Sequence, residues 1–253
     1  MICWVAERAL AARRVTRVIV ATDDARVFES VQSAGFEAMM TRMDHVSGTD
    51  RLAEVAANLS DAEIVVNVQG DEPLISPETI DHAIEALLND ESSDIATTWE
   101  PITSVADVLS PDVVKVVVDS SEHAVYFSRS PIPYPREATH RHGSIKVALE
   151  KEPELLSQFR KHTGLYVYRR AALLEFARWP QSPLEQAESL EQLRGLEHGI
   201  RIIVIQSDAP SIGVDTLEDL ERVRKEVSRL DRQLSSSQPS AVASALQETS
   251  SRP

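Results

Sequence analysis

Cysteine is all but absent from this 253-residue chain, Cys3 being the only one. That excludes an internal disulfide framework and a Cys-rich metal knuckle, and it fits a reducing compartment, so a cytoplasmic protein is expected. Aromatic residues are few, at 5%. No run of about eighteen or more apolar residues occurs, so no membrane span is expected. The opening segment MICWVAERALAARRVTRV turns charged at helical spacing after a few apolar residues, without the apolar core or cleavage site of a signal peptide. Basic residues are in deficit, 26 Lys and Arg against 40 Asp and Glu, for a net charge of -14. Such a body works against nonspecific binding to nucleic acid or to an anionic membrane. A small anionic substrate stays open, because it needs only a local basic pocket or a metal ion bridging its phosphates to carboxylates.

What is present is ordinary for a globular protein: 42% apolar and 26% charged residues. The length suits one full-sized domain with a buried core better than two. RVIVA at 17–21 is a continuous apolar run of the kind buried in a parallel sheet, closed by Asp23 and Asp24. A helix over 25–34, stopped by Gly35, and a short strand at 37–40 follow. The alternation repeats with a helix over 50–59, a strand IVVNV at 64–68, and a helix with Ser76 as N-cap and Pro77 in its first position. Strands are expected again at 95–98, 113–118, 163–168 and 201–205, with a helix over 171–177. Ser182, Pro183 and Glu185 spell a capping box that opens one long helix, and Thr216 and Asp219 cap the last one. Alternating strands and helices imply an α/β, Rossmann-like architecture with a mostly parallel sheet covered by helices on both faces. Residues from about 120 to 158, rich in Pro, His and charge, read as an excursion from it. The domain is expected to span 1–232, with the Ser/Ala/Gln-rich stretch 233–253 a disordered tail.

Three segments carry chemistry. In VNVQGDEP at 66–73 a buried strand ends in Gln-Gly-Asp-Glu-Pro, and carboxyl ends of strands line the ligand crevice of an open α/β sheet. Asp71 so placed is a natural Mg²⁺ ligand, although an acid after a strand is also common turn chemistry. In GVDT at 213–216, Asp215 precedes the N-cap of the last helix, where an acid can face a crevice or simply favour the helix N-terminus. Two carboxylates together suit a divalent metal completed by substrate oxygens and water. In TRMDHVSGTDR at 41–51, hydroxyls and backbone N–H groups are crowded ahead of a helix with Arg42 and Arg51, and could read a base edge and face phosphates. The alternative there is a helix-capping loop with solvated charges, and His45 alone decides nothing.

VATDD, TRMDHVSGTDRLAEV, VNVQGDEPLI, VKVV, YFSRSPIPY, HTGLYVYRR, SPLEQAESLEQLR and IGVDTLEDLERV, in this order, resemble the 3-deoxy-manno-octulosonate (Kdo) cytidylyltransferase family over residues 1–225. The resemblance implies a nucleotidyltransferase fold and transfer of CMP from CTP to Kdo, with pyrophosphate released, for lipopolysaccharide biosynthesis. It implies Mg²⁺ held by Asp71 and Asp215, and cytidine recognised by Ser47 and Gly48 with Arg42 nearby. The acid sugar would be held by Gln69, Arg129, His162, Tyr166, Glu188 and Gln192. Arg129 suits a sugar carboxylate because a guanidinium engages it bidentately, and Glu188 and Gln192, four apart, would share a helix face. Tyr166 could equally be a packed strand residue. The excursion resembles the family's dimerisation region, so a homodimer is expected. The alternatives are a cytidylyltransferase for another acid sugar and a noncatalytic binding subunit.

The chain departs from the family at its start. Members begin with a buried strand and a loop of the form Pro-Ala-Arg-x-x-Ser/Thr-x-Arg-Leu-Pro-Gly-Lys that wraps the nucleotide phosphates. Met1-Ile2-Cys3-Trp4 instead resembles the helix after that loop. The expectation is an internal start, the full protein being about two dozen residues longer, enough for one strand and one loop.

Overall fold

Side-chain alternation along a few apolar strands sets the layers. On β3 (Ile64–Asn67), Val65 points to one face and Ile64 and Val66 to the other, as Ile95 and Ala96 do on β4 (Ile95–Pro101). The computed structural model describes residues 1–210, 213, 214, 216, 217 and 219–225. It comprises two units, Met1–Ser211 and Ile212–Pro253. The first unit begins with α1 (Ile2–Leu10), β1 (Ile19–Thr22), α2 (Ala25–Ser33), β2 (Glu37–Met40) and α3 (Gly48–Ala57), which leads to β3. Then come α4 (Pro77–Asn89), β4, α5 (Val105–Leu109), β5 (Lys115–Val118) and β6 (Ala124–Ser128). After α6 (Arg136–His142), α7 (Ile145–Lys151) and a 3-10 turn (Pro153–Gln158), β7 (Arg160–Arg169) returns to the sheet. It is followed by α8 (Arg170–Phe176), α9 (Pro183–Glu188), α10 (Gln192–Glu197) and β8 (Ile202–Gln206).

The larger sheet has the order β6-β5-β7-β4-β8, with β3 also paired to β7, and β1 and β2 form a separate two-stranded parallel sheet. The α/β class and the helices on both faces hold. Alanines of α3 and α8 and leucines around α10 pack on the Ile95 and Tyr168 face, while α1 and α4 pack on the Ala96 and Val167 face. The expected mostly parallel sheet is corrected to a mixed one. β7 runs antiparallel to β3, β4 and β5, and β5 is antiparallel to β6; β4 and β8 form the parallel pair. Apolar runs report burial, and burial is the same in either direction, so only the pairing itself decides this.

Two further boundaries move. The excursion starts later than expected, because Ala124–Ser128 is a sheet strand, and its cluster of Ile102, Val108, Leu149 and Phe159 is built by α5, α7 and the 3-10 turn. The capping box is present as read, Ser182 Oγ accepting from Glu185 N and Glu185 accepting from Ser182 N, yet the helix it opens ends at Glu188. Ser189 adopts a left-handed conformation at φ 52°, and Leu190 N closes the turn on Glu185 O at 3.2 Å. That break buries Leu190 in the core and starts α10 afresh. In the second unit the Thr216 and Asp219 cap forms, Asp219 N donating to Thr216 Oγ1 at 3.2 Å. The expected tail at 233–253 lies outside the described residues.

Candidate active site

The segment before α3 is held from both sides. Arg51 donates to Thr41 Oγ1 at 2.6 Å and to Asp23 Oδ2 at 2.9 Å, fastening the loop to the end of β1 and holding the Asp23 carboxyl below its usual range. His45 Nε2 bonds Glu54, whose pKa is lowered by that contact, so His45 braces the loop on its own helix. Ser47 N-caps α3, accepting from Asp50 N at 3.1 Å, and its hydroxyl donates to Glu191 Oε1 at 2.8 Å. Thr49 Oγ1 donates to the other oxygen of the same carboxylate at 2.7 Å. Gly48 lies between them at the first helical position. Arg42 points elsewhere: it is exposed, and its Nε lies 3.4 Å from Asp44 Oδ1.

The turn after β3 carries Gln69 and Asp71. Both Gln69 and Glu72 lean onto β7 where it has no side chain: a Cβ on Gly164 would meet Glu72 Oε1 at 3.1 Å and Gln69 Cγ at 3.3 Å. Gly164 sits between His162 and Tyr166, so this close approach brings the turn and the HTGLY strand together. The Asp71 carboxylate makes no hydrogen bond or ion pair among the described residues. Asp215 lies outside the described residues. Among the described residues no group of three or more His, Cys, Asp and Glu is placed to hold a metal ion. A single open carboxylate at a strand's carboxyl end does not suit an all-protein metal cage, but it fits a hard divalent cation held by one or two carboxylates and completed by substrate oxygens.

The break at Ser189 separates Glu188 from Gln192, which therefore do not share a helix face. Glu188 accepts from Ser128 Oγ at 2.6 Å and from Arg129 N at 2.9 Å. Arg129 caps the end of α9, its guanidinium donating to the carbonyls of Glu188 at 2.7 Å, Ser189 at 3.2 Å and Pro111 at 2.9 Å. The first two are carbonyls a helix leaves without partners at its end, where a cation suits the dipole, and the third ties α9 to the loop before β5. Beside it Lys115, whose side chain is fully buried, gives Nζ to the carbonyls of Ser110, Val113 and Arg129 at 2.9, 2.6 and 2.5 Å. Burial pushes the lysine's pKa down, with Glu188 opposing. Neither cation has a carboxylate of its own; the three carbonyl dipoles around each stand in for one. Lys115 sits in the VKVV run, where a lysine among valines on a buried strand was the signal for it.

Gln192 turns instead into a cavity of about 160 Å³, with Gly48, Thr49, Asn67, Gln69, Tyr166, Tyr168 and Glu191 on its walls. Four residues expected from the sequence to contact substrate, Gly48, Gln69, Tyr166 and Gln192, thus meet in one place, and Ser47 reaches it through Glu191. Tyr166 is a wall residue that also packs, its ring 5.8 Å from Tyr168 and 5.4 Å from His162. Burial raises the pKa of both tyrosines, so they act as neutral phenols. His162 lies between Tyr166 and Phe127, with Nε2 2.9 Å from Thr97 Oγ1. That hydroxyl gives its own proton to Leu165 O at 2.8 Å, so the imidazole is the donor in the pair. Burial lowers the His162 pKa to about 3, leaving the ring neutral at pH 7. Glu191, like Asn67 and Tyr168, is a wall residue that motif reading passed over, although it stands inside ESLEQ between the two residues singled out.

Known proteins extend this reading. The Cytidylyltransferase family matches residues 1–202. The chain is 52% identical to the 3-deoxy-manno-octulosonate cytidylyltransferase of Geobacter metallireducens over 229 residues, covering 90% of this chain and 88% of that one. It is 48% identical to the protein of the same name from Syntrophotalea carbinolica over 223 residues, 88% and 86% of the two chains. Among solved structures it superposes on a CMP:2-keto-3-deoxy-manno-octonic acid synthetase in complex with CTP with a TM-score of 0.79 at 44% identity, over 90% of this chain and 87% of that one. A 4-diphosphocytidyl-2C-methyl-D-erythritol synthase from Anaerococcus prevotii, 10% identical with a TM-score of 0.56, shares the fold. With identity near one half over nearly the whole of both chains, this protein belongs to the 3-deoxy-manno-octulosonate cytidylyltransferase family.

Proposed function

We propose that the protein transfers CMP from CTP to 3-deoxy-D-manno-octulosonate, releasing pyrophosphate and giving CMP-Kdo for lipopolysaccharide biosynthesis. The observation that carries this is the convergence of Gly48, Gln69, Tyr166 and Gln192, read separately as nucleotide and sugar contacts, on one cavity. In the reaction an oxygen of the sugar's anomeric hydroxyl forms a bond to the α-phosphorus, the bond from that phosphorus to the bridging oxygen breaks, and the hydroxyl proton is lost. Ser47 and Gly48 at the start of α3 read cytidine with a hydroxyl and main-chain N–H groups. Arg42, exposed on the same loop, is free to swing from Asp44 toward the nucleotide.

Gln69, Tyr166 and Gln192 hold hydroxyls of the sugar. Its carboxylate is placed at Arg129, where two cations and the single carboxylate of Glu188 leave a positive excess. A neutral His162 adds shape and a hydrogen-bond surface without charge. Asp71 would hold Mg²⁺, which when bound neutralises charge at the phosphate and aligns the reacting oxygens; the sequence's second candidate, Asp215, lies outside the described residues. We read the protein as a cytoplasmic homodimer joined through the excursion, where Tyr134 and Val147 are exposed beside a separate apolar cluster. No helix among the described residues is long and apolar enough to cross a membrane.

The test is pyrophosphate release from CTP, Mg²⁺ and Kdo. Asp71→Asn is expected to reduce the rate by about a hundredfold or more with unchanged thermal stability, since the carboxylate is free of structural partners. Full activity of that variant, or turnover with another acid sugar in place of Kdo, would overturn this assignment.

A further inference from the structure

Glu191 makes contacts that neither its own helix nor the mechanism above requires. It occupies the N-cap position of α10, yet its side chain does not cap that helix. Its two oxygens reach across 144 and 142 residues of sequence to the hydroxyls of Ser47 and Thr49. Behind it Arg194 Nη2 lies 3.5 Å away, and that guanidinium is buried and paired with Glu185 through both Nε and Nη2. The carboxylate therefore stands on the wall of the cavity with its charge already met by one cation and two hydroxyl donors. Thr49 is itself buried, so the contact is not a loose surface pair.

The placement joins two halves of the site. Ser47 and Gly48 belong to the nucleotide loop, while Glu188 and Gln192 flank Glu191 on the sugar turn. Ser47 Oγ accepts from Asp50 N while donating to Glu191, so the cap of α3 and the tie to the sugar turn use one hydroxyl. A base edge is read by N–H groups whose aim must hold within a few tenths of an ångström, and the first turn of α3 supplies them.

We propose that Glu191 is a positioning residue that fixes the nucleotide loop against the acid-sugar turn, so that the spacing between the two substrates depends on this one carboxylate. The inference rests on the function proposed above for those two walls. Losing the tie lets the start of α3 move without unfolding the sheet, and weakens both substrates together.

The experiment uses the full chain and its Glu191→Ala, Glu191→Gln, Thr49→Val and Glu191→Ala/Thr49→Val variants, in two measurements. Hydrogen–deuterium exchange over residues 47–57 is expected to show the first-turn amides of α3 exchanging about tenfold faster in Glu191→Ala, with Glu191→Gln intermediate. Pyrophosphate release is expected to show KM for both CTP and Kdo raised on the order of tenfold in Glu191→Ala, kcat within about twofold, and a double variant no worse than Glu191→Ala alone. Superimposable exchange curves would overturn the tie. Unchanged KM values, or kcat falling in step with a lower Tm, would reduce Glu191 to a structural role and overturn the coupling. A wild-type protein that is folded but releases no pyrophosphate from CTP and Kdo would sink the function proposed above, while the exchange experiment still decides the tie.

Discussion

Two polar joints flank the same short turn and are built with opposite charge balance. On one side of Ser189–Leu190, Arg194 alone serves the carboxylates of Glu185 and Glu191. On the other, Lys115 and Arg129 are held by backbone carbonyls, with Glu188 the single carboxylate nearby. The first joint binds the protein to itself: one guanidinium is shared by two carboxylates, and the remaining negative charge is met by the hydroxyls of Ser47 and Thr49. The second satisfies hydrogen-bonding geometry without satisfying charge, which is the condition for attracting an anion from solution. On the function proposed above, an acid sugar would need both a fixed wall and an electrostatic excess, and the turn between α9 and α10 would supply one from each end.

The largest effect should come from breaking the charge-paired joint on one side only. Arg194→Met leaves the buried carboxylate of Glu185 and the half-buried one of Glu191 without their shared cation and is expected to cost about 3–5 kcal/mol, lowering Tm by roughly ten degrees. Burial pushes the Glu185 carboxyl up and Arg194 overrides that, so its pKa lies below the usual value and its charge depends on the guanidinium. Adding Glu185→Gln to Arg194→Met should recover part of the loss, because the amide keeps an acceptor for Ser182 N without a charge. If the double variant is less stable than Arg194→Met in urea unfolding, the charge of Glu185 does not depend on the guanidinium.

Lys115→Met tests the other joint. It strands the carbonyls of Ser110, Val113 and Arg129, and roughly 3 kcal/mol of stability should go with them. If the positive excess serves the sugar, Lys115→Met should also raise KM for Kdo several-fold while that for CTP stays near its wild-type value. Equal changes in both would mean that the lysine only supports the fold.

These joints mark the boundary of what the residues alone convey. Ser76 with Pro77, Ser182 with Glu185, and Thr216 with Asp219 were legible as helix starts because a cap is chemistry among neighbours three or four residues apart. Gly48, Gln69, Tyr166 and Gln192 were named from motifs that resemble a family, and the structure brings those four to one cavity. The break at Ser189 was not legible: a serine in a left-handed conformation has no local signal, and it is held there by Arg129, about sixty residues away, and by burial of Leu190. Pairing direction also escaped, since β7 lies antiparallel to strands that precede it by some fifty to a hundred residues. Glu191 was hidden by its own motif, its partners lying on α3.

The smallest expected effect separates His162 from both joints. Its folded pKa of about 3 lies below the ordinary imidazole value of 6.5, so between those limits the unfolded chain takes up a proton that the folded one refuses. The neutral ring's contribution is fully present above pH 6.5 and is lost progressively as pH falls toward 3, which is the sign for a buried neutral histidine. Gln at this position keeps an N–H for Thr97 and has no such titration. The stability cost of His162→Gln, measured by urea unfolding, should therefore be largest at pH 7 and shrink at pH 4.5, while the costs of Lys115→Met stay parallel over that range. A His162→Gln cost independent of pH would mean that the imidazole charges freely in the folded protein. The positive excess at the sugar carboxylate would then belong to His162 as well as to the two cations held by carbonyls.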